Sequence, residues 1–123
     1  MNMEYESVRL VESEVADGVK YTVSRMSFMR RMDLMRKVRE LARRKECLEA
    51  GKTPAERMDA VILQAEIDRV YVTWGLRSID GLTIDGTEAT PESLASAGPE
   101  DLFREALAAV RRESGLSEAE RKN

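Results

Sequence analysis

The chain has 123 residues, of which 42% are apolar, 35% charged and only 5% aromatic. That length suits one domain able to bury about two-thirds of its unfolded surface, and the composition excludes an intrinsically disordered chain. The net charge of −3 hides a polarity: residues 25–45 hold nine basic and two acidic side chains, a local +7 that leaves −10 for the rest.

The opening "MNMEYESVRLVESE" is acidic and lacks the apolar run of a signal peptide, and no stretch approaches 18 consecutive apolar residues. A single cysteine, Cys47, cannot close an internal disulfide. A cytoplasmic protein is therefore expected.

Residues 8–24 read as a β-hairpin. Val8, Leu10 and Val15 alternate imperfectly, Val19, Tyr21 and Val23 alternate cleanly, and Asp17-Gly18 between them is a turn signal. A two-stranded hairpin is marginal alone, so it must lie on the helices or pair with another chain. Residues 27–51 predict a long helix ended by Gly51, with Phe28, Met32, Leu34, Met35, Val38, Leu41, Ala42 and Leu48 on one arc. Arg36, Lys37, Arg43 and Arg44 crowd the other side. Asp33–Lys37 and Glu40–Arg44 are spaced as i,i+4 ion pairs. Residues 53–75 predict a second helix. Thr53, Pro54 and Glu56 form its capping box, Met58, Val61, Ile62, Ala65, Val72 and Tyr71–Trp74 its apolar face, and Gly75 stops it. With only a short loop between them, the two helices form an antiparallel αα-hairpin.

Residues 76–98 form a loop-rich corner with a short strand and turn around Asp85-Gly86, then a helix starting at Thr90-Pro91 and ending at Gly98. Residues 99–123 supply the C-terminal helices. Leu102, Phe103, Ala106, Leu107 and Val110 have helical spacing, and Ser117 with Glu120 opens a last turn. The expected architecture is mainly α: an N-terminal β-hairpin, an antiparallel αα-hairpin and C-terminal helices. Its core is expected in the αα-hairpin, closed by the helix from Pro99 to Gly115.

Catalytic chemistry finds little support. Histidine is absent, which removes the commonest general base and transition-metal ligand, and no phosphate-binding glycine motif occurs. Asp80 and Asp85 fail the calcium-loop pattern, because the third and fifth positions from Asp80 are Leu82 and Ile84. Both aspartates suit Asp-Gly turns instead. No catalytic residue, cofactor or metal is expected. The basic face of the first long helix is interrupted by Asp33 and Glu40 and lacks interleaved aromatics, so a solvated face suits it better than nucleic-acid binding. Met26, Met29, Met32 and Met35 fill core space, except that Met29 falls on the polar arc, where it would be exposed to a partner.

"GVKYTVSRMSF", "ECLEAG", "AEIDRVYVTWGLRSIDGLTIDG", "ATPESL", "AGPEDL" and "LSEAERKN", in that order, resemble small proteins of tailed phages and prophages grouped as tail assembly chaperones. Trp74-Gly75-Leu76, Gly81-Leu82, Ile84-Asp85-Gly86 and Thr90-Pro91 carry most of the likeness. It implies a non-enzymatic protein, in the cytoplasm of a bacterial host, that binds the coiled-coil-prone tape measure protein and keeps it soluble during tail assembly. A phage structural or connector protein is the alternative, with a nucleic-acid-binding regulator behind it. The opposed charges would also let copies stack head to tail as a homo-oligomer. The expected protein-binding surface combines Met26, Met29, Arg30, Arg36, Arg43 and the corner Trp74, Gly75 and Leu76.

Overall fold

The computed structural model describes residues 2–115. The chain is mainly helical and begins with the expected hairpin, β1 (Val8–Glu12) against β2 (Lys20–Ser24), antiparallel with Leu10 opposite Thr22. Gly18 takes φ +83° in the connecting loop, as the Asp-Gly signal requires. Ser13 organises that loop: its Oγ accepts from the amides of Val15 and Ala16. In β1 it is Val11, opposite Tyr21, that packs on the core, whereas Leu10 and Val15 point outward.

The long helices are α1 (Phe28–Glu49) and α2 (Pro54–Gly75). Ser27 caps α1 by accepting from the Arg30 amide. The Thr53–Glu56 capping box forms in both directions, with the Glu56 amide donating to Thr53 and the Thr53 amide to the Glu56 carboxylate. At about 1.5 Å per residue each helix is about 33 Å long. Neither predicted i,i+4 pair in α1 forms. Asp33 instead accepts from the Trp74 indole, and Glu40 pairs one residue nearer, with Arg43 at 2.6 Å.

The connection after α2 is not a loop. Leu76 begins β3 (Leu76–Asp80), which pairs antiparallel with β2 and makes a sheet of order β1-β2-β3. The hairpin thus finds its third strand within its own chain. The strand was hidden because the register slips beside Thr22 and Val23: Leu76 pairs with Val23 and Ser78 with Thr22, leaving Arg77 unopposed. A bulge of this kind lets Leu76 and Ile79, three residues apart, both reach the core face. The turn at Asp85-Gly86, with positive φ at both residues, joins β4 (Thr83–Ile84) to β5 (Thr87–Glu88) as expected. Thr90 and Ser93 cap α3 (Pro91–Ala97), and α4 spans Glu100–Glu113. The expected Ser117–Glu120 turn lies outside the described residues.

The core is not where the helical periodicity placed it. It lies between the inner face of the sheet (Val19, Tyr21, Val23, Leu76, Ile79) and α4 (Leu102, Ala106, Leu107, Ala109, Val110), with Leu94 of α3 and Val72 at the foot of α2. No residue of α1 belongs to it. Of the eight residues on α1's predicted arc only Leu34 is buried, while Phe28 and Met35 are 78% and 56% exposed. The αα-hairpin is instead an insertion between two adjacent strands. It leaves the sheet after Ser24 and returns at Leu76, and only its base touches the body.

Polar side chains fasten the pieces. The buried Asp68 of α2 accepts from Arg111 at 2.6 Å and from Gln64 at 2.9 Å, with Arg104 at 3.7 Å, tying α2 to α4. Glu105 of α4 accepts from Ser13, from the Glu14 amide at 2.8 Å and from the Tyr21 hydroxyl at 2.8 Å, tying α4 to the hairpin. Burial on its own raises the Glu105 pKa. The bonds from Ser13, Glu14 and Tyr21 outweigh it and hold the carboxyl below its ordinary 4.5. The same burial, reinforced by the Glu105 charge, pushes the Tyr21 phenol well above its usual range.

A folded-state pKa below the unfolded one contributes stability at neutral pH, which is lost as pH falls from about 4.5 through the folded value. Urea titrations from pH 7 to pH 3 should therefore show Glu105→Gln less stable than wild type at pH 7, with the gap closing below pH 4.5. Gly75 gives a second expectation. A Cβ there would lie 2.4 Å from Val110 Cγ1, so Gly75→Ala should cost about 1–3 kcal/mol in denaturant unfolding, despite alanine's better helix propensity.

Candidate protein-binding surface

Sequence reasoning placed eight residues on one surface, and the fold separates them. Gly75 and Leu76 present no surface at all: Gly75 is buried against Val110, and Leu76, 4% exposed, is part of the core. They were expected at an exposed corner because β3 was not foreseen. Trp74 is half-buried and held from two sides. The Arg30 guanidinium stacks on its ring at 4.0 Å, and Asp33 accepts from its indole nitrogen at 2.8 Å. Arg30 also donates from Nη2 to the Trp74 carbonyl at 3.2 Å. Arg30 and Trp74 are therefore a clamp between the bases of α1 and α2. Beside them Met26 is half-buried, and only Met29 stands free, at 64% exposure.

Arg36 and Arg43 lie higher on α1. Arg43 is thirteen residues from Arg30, about 20 Å along the axis, so it cannot share a contact patch with the clamp. Its guanidinium is taken by Glu40 through two bonds, at 3.2 and 2.6 Å. Arg36, Lys37, Arg39 and Arg44 are exposed and engage in no ion pair among the described residues.

The surface that sequence reasoning missed is on the other helix. Met58, Val61, Ile62 and Ala65 were expected to face the core, yet all four are exposed, Val61 to 64%. The face of α2 that meets α1 is Ala60, Leu63 and Ile67 instead. The signal was present: "AVIL" at residues 60–63 puts apolar side chains all round the helix. A helix apolar all round needs partners on more than one side. In the projecting half of the hairpin it has one.

Open grooves flank this stripe. One, of about 620 Å³, runs along α2 past Arg57, Val61, Ala65 and Asp68, with Lys45 and Glu49 of α1 and Arg104 of α4 also lining it. Another, of about 340 Å³, continues from Ala65 and Arg69 to Leu94 and Phe103 at the foot of α2. A third, of about 530 Å³, lies on the opposite side between Arg44, Cys47, Asp59, Ile62 and Glu66. All are shallow, apolar-floored and charge-rimmed, a form suited to a side chain or helix laid along them rather than to an enclosed small molecule. Among the described residues no cluster of His, Cys, Asp or Glu is arranged to hold a metal ion, and no helix is long and apolar enough to cross a membrane. Compared with protein-family models, curated proteins and solved structures, the chain finds no match.

Because Trp74 is the only tryptophan, its fluorescence reports the clamp. Arg30→Ala should shift its emission to the red and lower stability by about 1–2 kcal/mol, since a partly desolvated cation–π contact and a hydrogen bond to a carbonyl are lost together.

Proposed function

We propose that this protein is a non-enzymatic assembly chaperone of the phage tail type, acting in the cytoplasm of a bacterial host on a long helical protein such as a tape measure protein. One observation carries this reading: a helical hairpin about 33 Å long projects from the core with unpartnered apolar side chains on both helices. Phe28, Met29 and Met35 lie on α1, and Met58, Val61 and Ile62 on α2. Side chains of this size are normally buried, and a row of them on an exposed face marks an interaction site. A coiled-coil-prone protein that has not yet assembled exposes apolar seams of the same spacing, and covering such a seam would keep it from self-association.

The charge distribution supports the same reading. Arg31, Arg36, Lys37, Arg39 and Arg44 of α1 are exposed and form no ion pair among the described residues, while the body is acidic. Attraction to an acidic helical partner would steer encounter, and the apolar stripe would supply the binding energy. Met29 and Met35 on α1 and Met58 on α2 add adaptable surface, which suits a partner bound along many similar turns.

Co-expression with the longest coiled-coil-rich protein encoded nearby tests the proposal directly. The long protein should become soluble and co-purify with this chain. If it stays insoluble and unbound in the presence of folded wild-type protein, the chaperone reading is wrong.

A further inference from the structure

The face of α1 turned away from α2 sorts its side chains along the helix axis. At 100° per residue, the arc opposite the buried Leu34 spans about 120°. Its first two turns carry Phe28, Met29, Met32 and Met35, all exposed except the half-buried Met32. Its next two turns carry Arg36, Arg39 and Arg43, and Glu46 and Cys47 complete it towards the tip. The apolar half and the basic half are each about 10 Å long.

These arginines outnumber the carboxylates within their reach. Arg36 lies within a turn of Asp33 and Glu40, and both are engaged elsewhere. Asp33 accepts from the Trp74 indole at 2.8 Å, and Glu40 accepts from Arg43 at 2.6 Å. The bond from Arg43, with the charges of Arg44 and Arg39, holds the Glu40 carboxyl below its ordinary 4.5, so three guanidiniums share one carboxylate. Arg36 and Arg39 are exposed and form no ion pair among the described residues. Arg44 lies off the arc, in the groove that it lines with Arg43, Asp59 and Glu66. Glu46, the arc's own carboxylate, stands seven residues beyond Arg39, about 10 Å along the axis.

We propose that this face of α1 is a docking seam for one helix of a partner protein whose contact face is divided in the same way, apolar over Phe28, Met29 and Met35 and acidic over Arg36 and Arg39. The proposal deepens the chaperone reading, on which it rests in taking the partner to be helical. Two exposed guanidiniums without carboxylates determine the acidic half, since the planar fork of each takes a carboxylate by two bonds. The methionines beside them adapt to whatever apolar side chains are laid on them.

Other occupants match less of the arc. A nucleic acid would answer the arginines alone and find no aromatic among them to stack a base on. It would also meet a chain that carries −10 outside residues 25–45. A second copy of α1 laid parallel sets each arginine against its own copy. Laid antiparallel, it sets the arginines against the methionines and Phe28, where they find no carboxylate.

Three synthetic helices test this, each about 20 residues or about 30 Å long. The first has leucines on one half of its contact face and glutamates on the other. The second has the same residues interspersed along the face, and the third has lysines in place of the glutamates of the first. Each is made in both directions, and the tighter of the two is compared. By fluorescence anisotropy the wild-type protein should bind the segregated glutamate helix about tenfold more tightly than either of the others. Arg36→Glu with Arg39→Glu should transfer the preference to the lysine helix. Arg36→Gln with Arg39→Gln should bring the glutamate and lysine helices to equal affinity. Neither arginine has an ionic partner in the fold, so both variants should unfold close to the wild-type urea concentration. If the interspersed or the lysine helix binds wild type as tightly as the segregated glutamate helix, or if none binds, the proposal is overturned. It is overturned equally by tighter binding of a DNA duplex of about 20 base pairs at about 0.15 M salt. Concentration-dependent dimerisation of wild type that Arg36→Glu with Arg39→Glu abolishes also overturns it, because the seam is then taken by a second copy.

The co-expression assay separates this inference from the reading beneath it. If Arg36→Glu with Arg39→Glu solubilises the long protein as well as wild type does, the seam is wrong and the chaperone reading stands. If the segregated glutamate helix binds selectively while the long protein stays insoluble with wild type, the seam stands and the chaperone reading falls.

Discussion

The architecture depends on the pairing of β2 with β3. These strands are neighbours in the sheet but are separated in sequence by both long helices. Their antiparallel register fixes the chain's exit at Ser24 and its return at Leu76 side by side, which closes the base of the αα-hairpin. A helix leaving one strand and a helix entering the next must then run together, and their length carries them well beyond a sheet of five-residue strands. The hairpin stands off the core because the sheet holds both its ends.

Polar contacts concentrate where that constraint acts. Asp68 joins α2 to α4, Glu105 joins α4 to the β1–β2 loop, and Arg30, Asp33 and Trp74 join the two helix bases. Each draws on residues at least 41 positions apart, so each forms only once the fold is in place. Buried or half-buried groups that find partners in this way stabilise modestly when paired and cost more when one partner is removed. Towards the tip the hairpin has no such fastening. Helix caps and one row of apolar contacts hold it there, from Leu34 on α1 and from Ala60, Leu63 and Ile67 on α2. Local opening is easiest where buried contacts are fewest, so the tip is the part best able to adjust to a partner.

This division also orders the functional argument. The body is packed on one face of a small sheet and carries the acidic excess; the hairpin carries the free arginines and lysines of α1 and the apolar stripe of α2. The core and the exposed stripe therefore draw on different residues. Met58, Val61, Ile62 and Ala65 are exposed and none belongs to the core cluster.

Read by itself, the sequence determined the local elements. Ser27, Thr53 and Thr90 mark helix starts because their hydroxyls accept amides that a first turn leaves unpaired, and Asp17-Gly18 and Asp85-Gly86 mark turns because positive φ suits glycine. It also showed the hairpin, the two long helices and the amphipathic α4. Only the tertiary structure decided which apolar faces are covered. Leu76 and Ile79 lack strand alternation because a bulge intervenes, so β3 leaves no period-two signal. Without β3 the sheet cannot be seen to be three-stranded, the core is assigned to the wrong layer, and the exposed stripes of α1 and α2 pass for buried ones. Periodicity reports that a helix has an apolar face; what covers that face depends on contacts between residues far apart in the chain, and no local pattern encodes them.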